Sequence, residues 1–476
     1  MSIDHDLDHM TPEELVEYGT AALRLAARYL EGIDQQPILP SAEPGDLRAL
    51  LPNEPPERPE PMDRILADIE ELIVPALVGW QAPGWFAFFP ANSSPPSIIG
   101  ELLSAAFAQQ GMLWSTSPAT TELECHVLDW LVDLLGLPES WKSSGPGGGV
   151  IQMSASDATH TALVVARVTN GAPIADQVVY SSSQAHSSIE KGARLAGFDH
   201  IRLLDVDDVY ALRPDALADA VEADIAAGLV PSFVCSTVGT TGTTAVDPVA
   251  EISRVAHRHG LWHHVDAAYA GSAMILPELR HHQSGLNQAD SYVFNPHKWM
   301  FTNFDCSVFY VADRAPLIQT MSIVPPYLRN AASDTGEVTD YRDWHVPLGR
   351  RFRALKLWMV LRTYGAEGIR HHLRRHVRMA ADLHTWIEDH PHLEPIAPAP
   401  FGLVTFRHID GDAATERIVS AINSSGHSYV TPSNIDGRRF IRVSIGQTTT
   451  GASHVERLRS VIDWAARPSS QSGAAR

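Results

Sequence analysis

Leu261-Trp-His-His-Val-Asp266-Ala-Ala268-Tyr-Ala-Gly271 and, a little further on, Ser291-Tyr-Val-Phe-Asn295-Pro-His297-Lys298-Trp are apolar runs that each end in polar groups. Each is short, β-rich and bounded by small residues or proline, the pattern of a strand buried on both faces. The first delivers a carboxylate to a strand end. The second closes on Asn and Pro, and a single Lys follows. Comparable runs occur at 177–180, 201–204, 232–236 and 307–311, separated by helical stretches such as 214–227 and 248–259. Strands alternating with helices predict βα units and a mostly parallel sheet covered on both faces. In such sheets the ligand lies beyond the carboxyl ends of the strands, so those ends are where functional groups are sought.

A third strand end, Tyr180-Ser-Ser-Ser-Gln-Ala-His186-Ser-Ser-Ile-Glu190, leads to a histidine just before a helix. A fourth candidate is Gly147-Gly-Gly-Val-Ile-Gln-Met-Ser154-Ala155-Ser156-Asp157, which precedes a helix over 158–168. Taken singly, each has an ordinary explanation: a helix cap, a surface His or Lys, a glycine linker. Together, and in this order on an α/β sheet, they are far more specific.

The remaining chain divides by pattern. Thr11-Pro12-Glu13-Glu14 carries a capping box and a proline suited to the first helical turn, so a helix is expected to Gly32. Eight prolines between Pro37 and Pro61 make a stiff extended connector, and a second amphipathic helix is expected over 62–73. After about residue 355 strands at 403–406 and 440–444 and helices at 413–423 and 453–466 suggest a smaller α+β unit. The expected division is a helical dimerisation arm over 1–94, a large domain over 95–355 and a small domain over 356–476.

Composition excludes several classes. Lys+Arg total 36 against Asp+Glu 56, a formal net charge of -20, which argues against a general nucleic-acid partner. Three scattered cysteines exclude a disulfide framework. Residues 72–100 contain no charged side chain but carry five prolines, so they read as buried loop and cavity lining rather than a membrane span. The first ten residues are acidic and lack a signal-peptide pattern, so a cytoplasmic location is expected. The 23 histidines raise a metal-dependent hydrolase as an alternative, yet His263 and His264 are adjacent, face opposite sides of a strand, and no HExxH helix occurs. No metal is expected.

The chemistry that needs this set of residues is that of pyridoxal 5′-phosphate (PLP). It requires a Lys for a Schiff base and a carboxylate that keeps the ring nitrogen protonated. Lys298 and Asp266 fit those needs. The imidazole of His186 supplies a flat ring partner, and Ala268 a small residue for the opposite face. The backbone at the helix start near Ser154 and Ser156, with their hydroxyls, suits a phosphate.

At Asn295-Pro-His-Lys298-Trp, His264-Val-Asp266-Ala-Ala-Tyr-Ala-Gly271 and Gln184-Ala-His186-Ser-Ser the sequence resembles the group II PLP-dependent decarboxylases, aromatic-L-amino-acid decarboxylase branch. The resemblance extends from Tyr29-Leu-Glu-Gly32 and Glu43-Pro-Gly45 through Ser117-Pro-Ala-Thr-Thr-Glu122 to Pro347-Leu-Gly-Arg-Arg-Phe352. It implies PLP-dependent transferase fold type I and a homodimer with sites at the subunit interface. It also implies cofactor contacts from Ala155, Ser156, Thr241, Asn295 and His297 besides those above. A mobile loop, Ser322-Ile-Val-Pro-Pro-Tyr327-Leu-Arg-Asn330, would supply Tyr327 as proton donor after CO2 departs. Relatives that make aldehydes with oxygen typically carry Phe there, so Tyr327 favours simple decarboxylation, with an aldehyde synthase as the alternative.

The same resemblance makes Trp80-Gln-Ala-Pro-Gly-Trp-Phe-Ala-Phe88-Phe89-Pro-Ala91 a wall of the substrate pocket. Phe88 and Ala91 stand where animal members carry Tyr and Thr, and Met112 where an aromatic residue is common. Gly349 leaves room for an indole. The expected substrate is tryptophan, Dopa, tyrosine or phenylalanine, with tryptophan favoured. Residues lining the pocket would be Trp80, Phe88, Phe89, Ala91, Met112, His186 and Gly349.

Overall fold

The apolar runs between residues 148 and 311 each contribute one strand to a seven-stranded sheet, and all but the half-exposed edge strand at 200–204 are buried on both faces. The computed structural model describes residues 9–323 and 338–468. Its strands are β1 (Gly148–Gln152), β2 (Gln177–Ser182), β3 (His200–Leu204), β4 (Val230–Thr237), β5 (Trp262–Asp266), β6 (Ser291–Phe294) and β7 (Ser307–Val311), in spatial order β1-β7-β6-β5-β4-β2-β3. β7 is antiparallel to both of its neighbours, and β6, β5, β4, β2 and β3 run parallel. The glycine-rich run that the sequence offered only as the approach to a helix is itself strand β1. Its glycines are steric: a Cβ on Gly149 would lie 2.7 Å from the Tyr310 ring of β7.

Helices cover both faces, and one of them, Arg353–Glu388, leads out of this unit. It has 36 residues and is interrupted by Gly365 at φ 62°, ψ 169°. The expected boundary at 355/356 therefore falls within its first turn. Beyond it β8 (Leu393–Pro395), β9 (Leu403–His408), β10 (Thr431–Ile435) and β11 (Arg438–Ser444) form an antiparallel sheet in the order β10-β11-β9-β8, backed by helices Asp412–Ser424 and Ala452–Ala466.

The N-terminal helix, Pro12–Gly32, has its capping box: the Thr11 hydroxyl accepts the Glu14 N–H, and Glu14 accepts the Thr11 N–H at 2.7 Å. None of its residues is buried in the single chain. The proline-rich connector contains one short helix, Asp46–Leu50, and the helix at Met62–Asp68 continues as a π-turn over Ile69–Ile73. The end of the arm joins the C-terminal unit. Phe86 donates to the Tyr429 carbonyl at 2.9 Å, its own carbonyl accepts from Ser444 at 2.8 Å, and its ring is buried against that unit's core. The charge-free segment thus ends in loop and a 13-residue helix, Pro95–Phe107, and no described helix is long and apolar enough to cross a membrane.

One buried ion pair fastens β1 to the helical layer. Arg350 donates to Glu124 at 2.5 Å, with side-chain exposures of 1% and 0%. Glu124 also accepts the Ile151 N–H at 2.8 Å, and the guanidinium reaches the Gly111 and Ile151 carbonyls and the Tyr341 ring. Removing one partner of such a pair leaves an uncompensated buried charge, which costs about 3–5 kcal/mol. Arg350→Met should lower the urea midpoint by that equivalent, and Glu124→Leu/Arg350→Met together should recover part of the loss.

Candidate active site

The carboxyl ends of the parallel strands open on a cavity of about 210 Å³. β5 brings Asp266 and the following Ala268 to it. β6 brings Asn295, His297 and Lys298, the last two on a short helix, Pro296–Trp299. β4 brings Thr237, Gly239 and Thr241, and β2 leads to His186 and Ser188. The turn after β1 brings Ser154, Ala155 and Ser156 at the start of the helix Ala155–Asn170. Phe89, Tyr269 and Phe304 complete the lining.

Hydrogen bonds fix several of these groups. Asp266 is buried and accepts the Ala268 N–H at 2.9 Å, with no cation bonded to it among the described residues. The His186 Nδ1 accepts the Ser188 N–H at 3.1 Å and lies 2.8 Å from its hydroxyl, so its proton belongs on Nε2. Burial holds the His186 pKa below the ordinary histidine value, against the attraction of Asp266. Burial likewise lowers the Lys298 pKa, opposed by Asp266 and assisted by the Arg442 guanidinium. The Lys298 Nζ lies 5.1 Å from the centre of the Phe89 ring, which stacks at 4.0 Å on Tyr269, and Tyr269 in turn stacks on Trp299. Asn295 accepts from the Ser307 hydroxyl at 2.7 Å, and His297 Nδ1 accepts the Cys306 N–H at 3.0 Å.

These residues fit PLP. A buried carboxylate without a cation suits the ring N–H, and a lysine of lowered pKa suits covalent attachment. A capped helix start suits a phosphate; Ser154 caps that helix by accepting the Asp157 N–H at 3.1 Å. The buried Thr237 hydroxyl has no hydrogen-bond partner among the described residues, an orphan that a bound ligand can satisfy.

A family model described as the pyridoxal-dependent decarboxylase conserved domain matches residues 44–409. The chain belongs to the pyridoxal-dependent decarboxylases. Among relatives of this decarboxylase, phenylacetaldehyde synthase of Arabidopsis thaliana is 43% identical, with 96% of each chain covered. Tryptophan decarboxylase 2 of Oryza sativa subsp. japonica is 41% identical, covering 94% of this chain and 93% of the relative. In structure, Oryza sativa TDC with PLP and tryptamine matches with TM-score 0.94 and 38% identity, covering 97% of this chain and 99% of that one. The decarboxylase is therefore an aromatic-L-amino-acid decarboxylase-type PLP enzyme of fold type I.

The expected pocket wall divides. Phe89 lines the cavity, but Trp80, Phe88, Ala91, Met112 and Gly349 do not. Phe88 adopts φ 54°, is 50% exposed and stacks on Trp80, while its neighbour Phe89 stacks on Tyr269. Met112 and Gly349 flank a separate contact in which Gly111 donates to the Arg350 carbonyl. Tyr327 lies outside the described residues. Ser188, Thr237, Gly239, Tyr269 and Phe304 were not picked out from the sequence. Thr237 closes β4 and Gly239 follows it, so both were open to that rule; Tyr269 and Phe304 arrive through tertiary packing.

His263 and His264 do face opposite sides of β5. His263 lies between the Ser236 and Ser253 hydroxyls at 2.7 and 2.9 Å, and His264 lies 2.9 Å from Ser291 and 3.4 Å from Thr159. Among the described residues no cluster of His, Cys, Asp and Glu could hold a metal. Burial pushes both imidazoles down to about 3. They stay neutral in the fold while the unfolded chain protonates them near 6.5, so the stability they confer is complete above that value. It is lost as the pH falls toward 3, at about 1.4 kcal/mol per pH unit for each group. Replacing His264 with Asn should flatten the urea-derived stability profile between pH 6 and 4 by that slope.

Proposed function

We propose that the protein converts an aromatic L-amino acid to its arylalkylamine and CO2, with tryptophan as the favoured substrate. The observation that carries this reading is the convergence of Lys298, Asp266 and His186 on one cavity at the sheet's carboxyl edge. PLP, when bound, supplies an electron sink for the bond to the departing carboxylate. Lys298 Nζ would be its attachment point, and Asp266 would hold the proton on the ring nitrogen. His186, fixed by Ser188, would cover one ring face and exclude water, leaving the other to Ala268. Ser154, Ala155, Ser156, Thr241 and Asn295 would receive the phosphate, with His297 beside them. Tyr327 would deliver a proton to the substrate Cα after CO2 leaves.

Phe89 offers an aromatic ring to the substrate side chain. Trp80, Phe88, Ala91, Met112 and Gly349 would contribute from a second copy of the chain. That arrangement is supported by their position outside the cavity and by the apolar faces left uncovered here. Val16 on the N-terminal helix is 69% exposed, and Ile99, Leu102 and Phe107 on the helix Pro95–Phe107 are also exposed. We therefore read the protein as a homodimer, with the arm 1–94 wrapping its partner around the large and small domains. Three free cysteines suit a reducing, cytoplasmic setting. A second reading, oxidative conversion to the aldehyde, is favoured by the likeness to phenylacetaldehyde synthase. The phenol of Tyr327 argues for the amine, because a proton donor within reach quenches a carbanion before oxygen reacts.

Incubation of the PLP-loaded protein with tryptophan, Dopa, tyrosine and phenylalanine should yield amine and CO2, identified by mass, and Lys298→Ala should reduce turnover to background. Equal CO2 and H2O2 with aldehyde would establish the second reading. Tyr327→Phe should lower amine formation by about 10²–10⁴-fold and raise the aldehyde share. Leu102→Asp should shift the sedimenting species from dimer to monomer and abolish activity with it.

A further inference from the structure

A cluster of charges lies behind the cavity, separate from the groups that line it. Lys356, in the first turn of the helix Arg353–Glu388, is 0% exposed, and its Nζ pairs with Glu101 of the helix Pro95–Phe107 at 2.8 Å. Arg353 pairs with Asp305 at 2.9 Å, and Arg351 reaches both Glu101 and Asp305. The two helices meet backbone to backbone here: a Cβ on Gly100 would lie 2.6 Å from the Lys356 Cα. An ion pair with one partner fully buried is weak evidence for stability, since apolar residues of similar volume often do as well. Its position relative to the cavity offers a reason.

The charges grip one short segment, residues 303–307. On its outer side the Asn303 N–H donates to the Ser97 hydroxyl at 2.8 Å, and Asp305 is held by Arg353. On its inner side Phe304 packs on the His297 ring at 4.3 Å, the Cys306 N–H donates to His297 Nδ1 at 3.0 Å, and Ser307 donates to Asn295 at 2.7 Å. His297, Asn295 and Phe304 all line the cavity, next to Lys298. Each link in this chain, from Glu101 to His297, is a direct contact.

We infer that Lys356, with Glu101 and Ser97, is a positioning unit that holds the 303–307 segment against His297 and Asn295 and thereby sets how tightly the cavity takes PLP. The inference rests on the reading that PLP occupies the Lys298 cavity. Lys356 touches neither cofactor nor substrate; it acts through Glu101 and Arg351 on Asp305, and so on its neighbours Phe304 and Cys306. The charged groups around it are Glu101, Asp305, Arg351 and Arg353, with His297 beyond.

The test is a PLP titration of apoprotein, followed by protein fluorescence and by the visible absorption and circular dichroism of the bound cofactor across pH. Lys356→Met should raise the PLP Kd by about tenfold or more and shift the pH at which the visible band changes; Lys356→Arg should restore both to near wild type. Ser97→Ala, a mild change that leaves the ion pairs intact, should raise Kd by a few-fold and keeps the test open if Lys356→Met fails to fold. Wild-type Kd and an unshifted band in folded Lys356→Met, or in Ser97→Ala where only that variant folds, would overturn the inference. Wild-type protein that takes up no PLP, or Lys298→Ala with an unchanged bound spectrum, would instead overturn the reading beneath it.

Discussion

The parallel pairing of β5 with β6 is the constraint on which the site depends. Asp266 stands opposite Val293, and the register continues past the strand ends: Ala267 donates to the Val293 carbonyl and Asn295 to that of Ala268. A slip of one residue would turn Asp266 to the other face of the sheet, because side chains alternate. The carboxylate would then leave the edge where Lys298 emerges. His263 and His264, each engaged by hydroxyls from opposite layers, brace β5 in that register.

The same pairing explains why so much was legible in the sequence. Strands β2 and β4 to β7 announce themselves as short, largely apolar runs, since a strand buried on both faces has no regular polar alternation, whereas β3, at the sheet edge, is half exposed. Asp266, Asn295, Lys298 and His186 were legible because they interrupt those runs at the ends, where the open edge must be. Strand β1 was not, because two of its five residues are glycines needed to admit neighbouring rings. Nor was the helix Arg353–Glu388, whose histidines, arginines and internal Gly365 blur its periodicity. The aromatic wall was only half legible. Phe88 and Phe89 look alike in sequence, and it is the left-handed backbone at Phe88 that sends one ring outward and keeps the other in the cavity.

The electrostatics of the cavity are local. The net charge of -20 is a property of the surface, whereas Lys298 responds to the loss of water, to Asp266 and to the nearby Arg442. Arg442 is itself buried and spends its hydrogen bonds on the Phe88 and Gly242 carbonyls and the Thr431 hydroxyl. A cation held this way braces the aromatic wall and, by like-charge repulsion, disfavours a second positive charge on the lysine.

The bonds that tie residues 86–92 to residues 429–446 have a consequence for the order in which the molecule is made. Asn92 donates to the Gly446 carbonyl across 354 positions, and Phe86 bridges Tyr429 and Ser444. Phe89, which forms part of the cavity wall, sits between these anchors. A ribosome therefore releases the parallel sheet, with the Tyr269 ring on which Phe89 stacks, before the C-terminal anchors of the wall exist, and long-range closures of this kind are slow to form. The aromatic segment stays only half anchored until residues 429–446 have been synthesised, and that interval is when the protein is most open to chaperones and to misassembly.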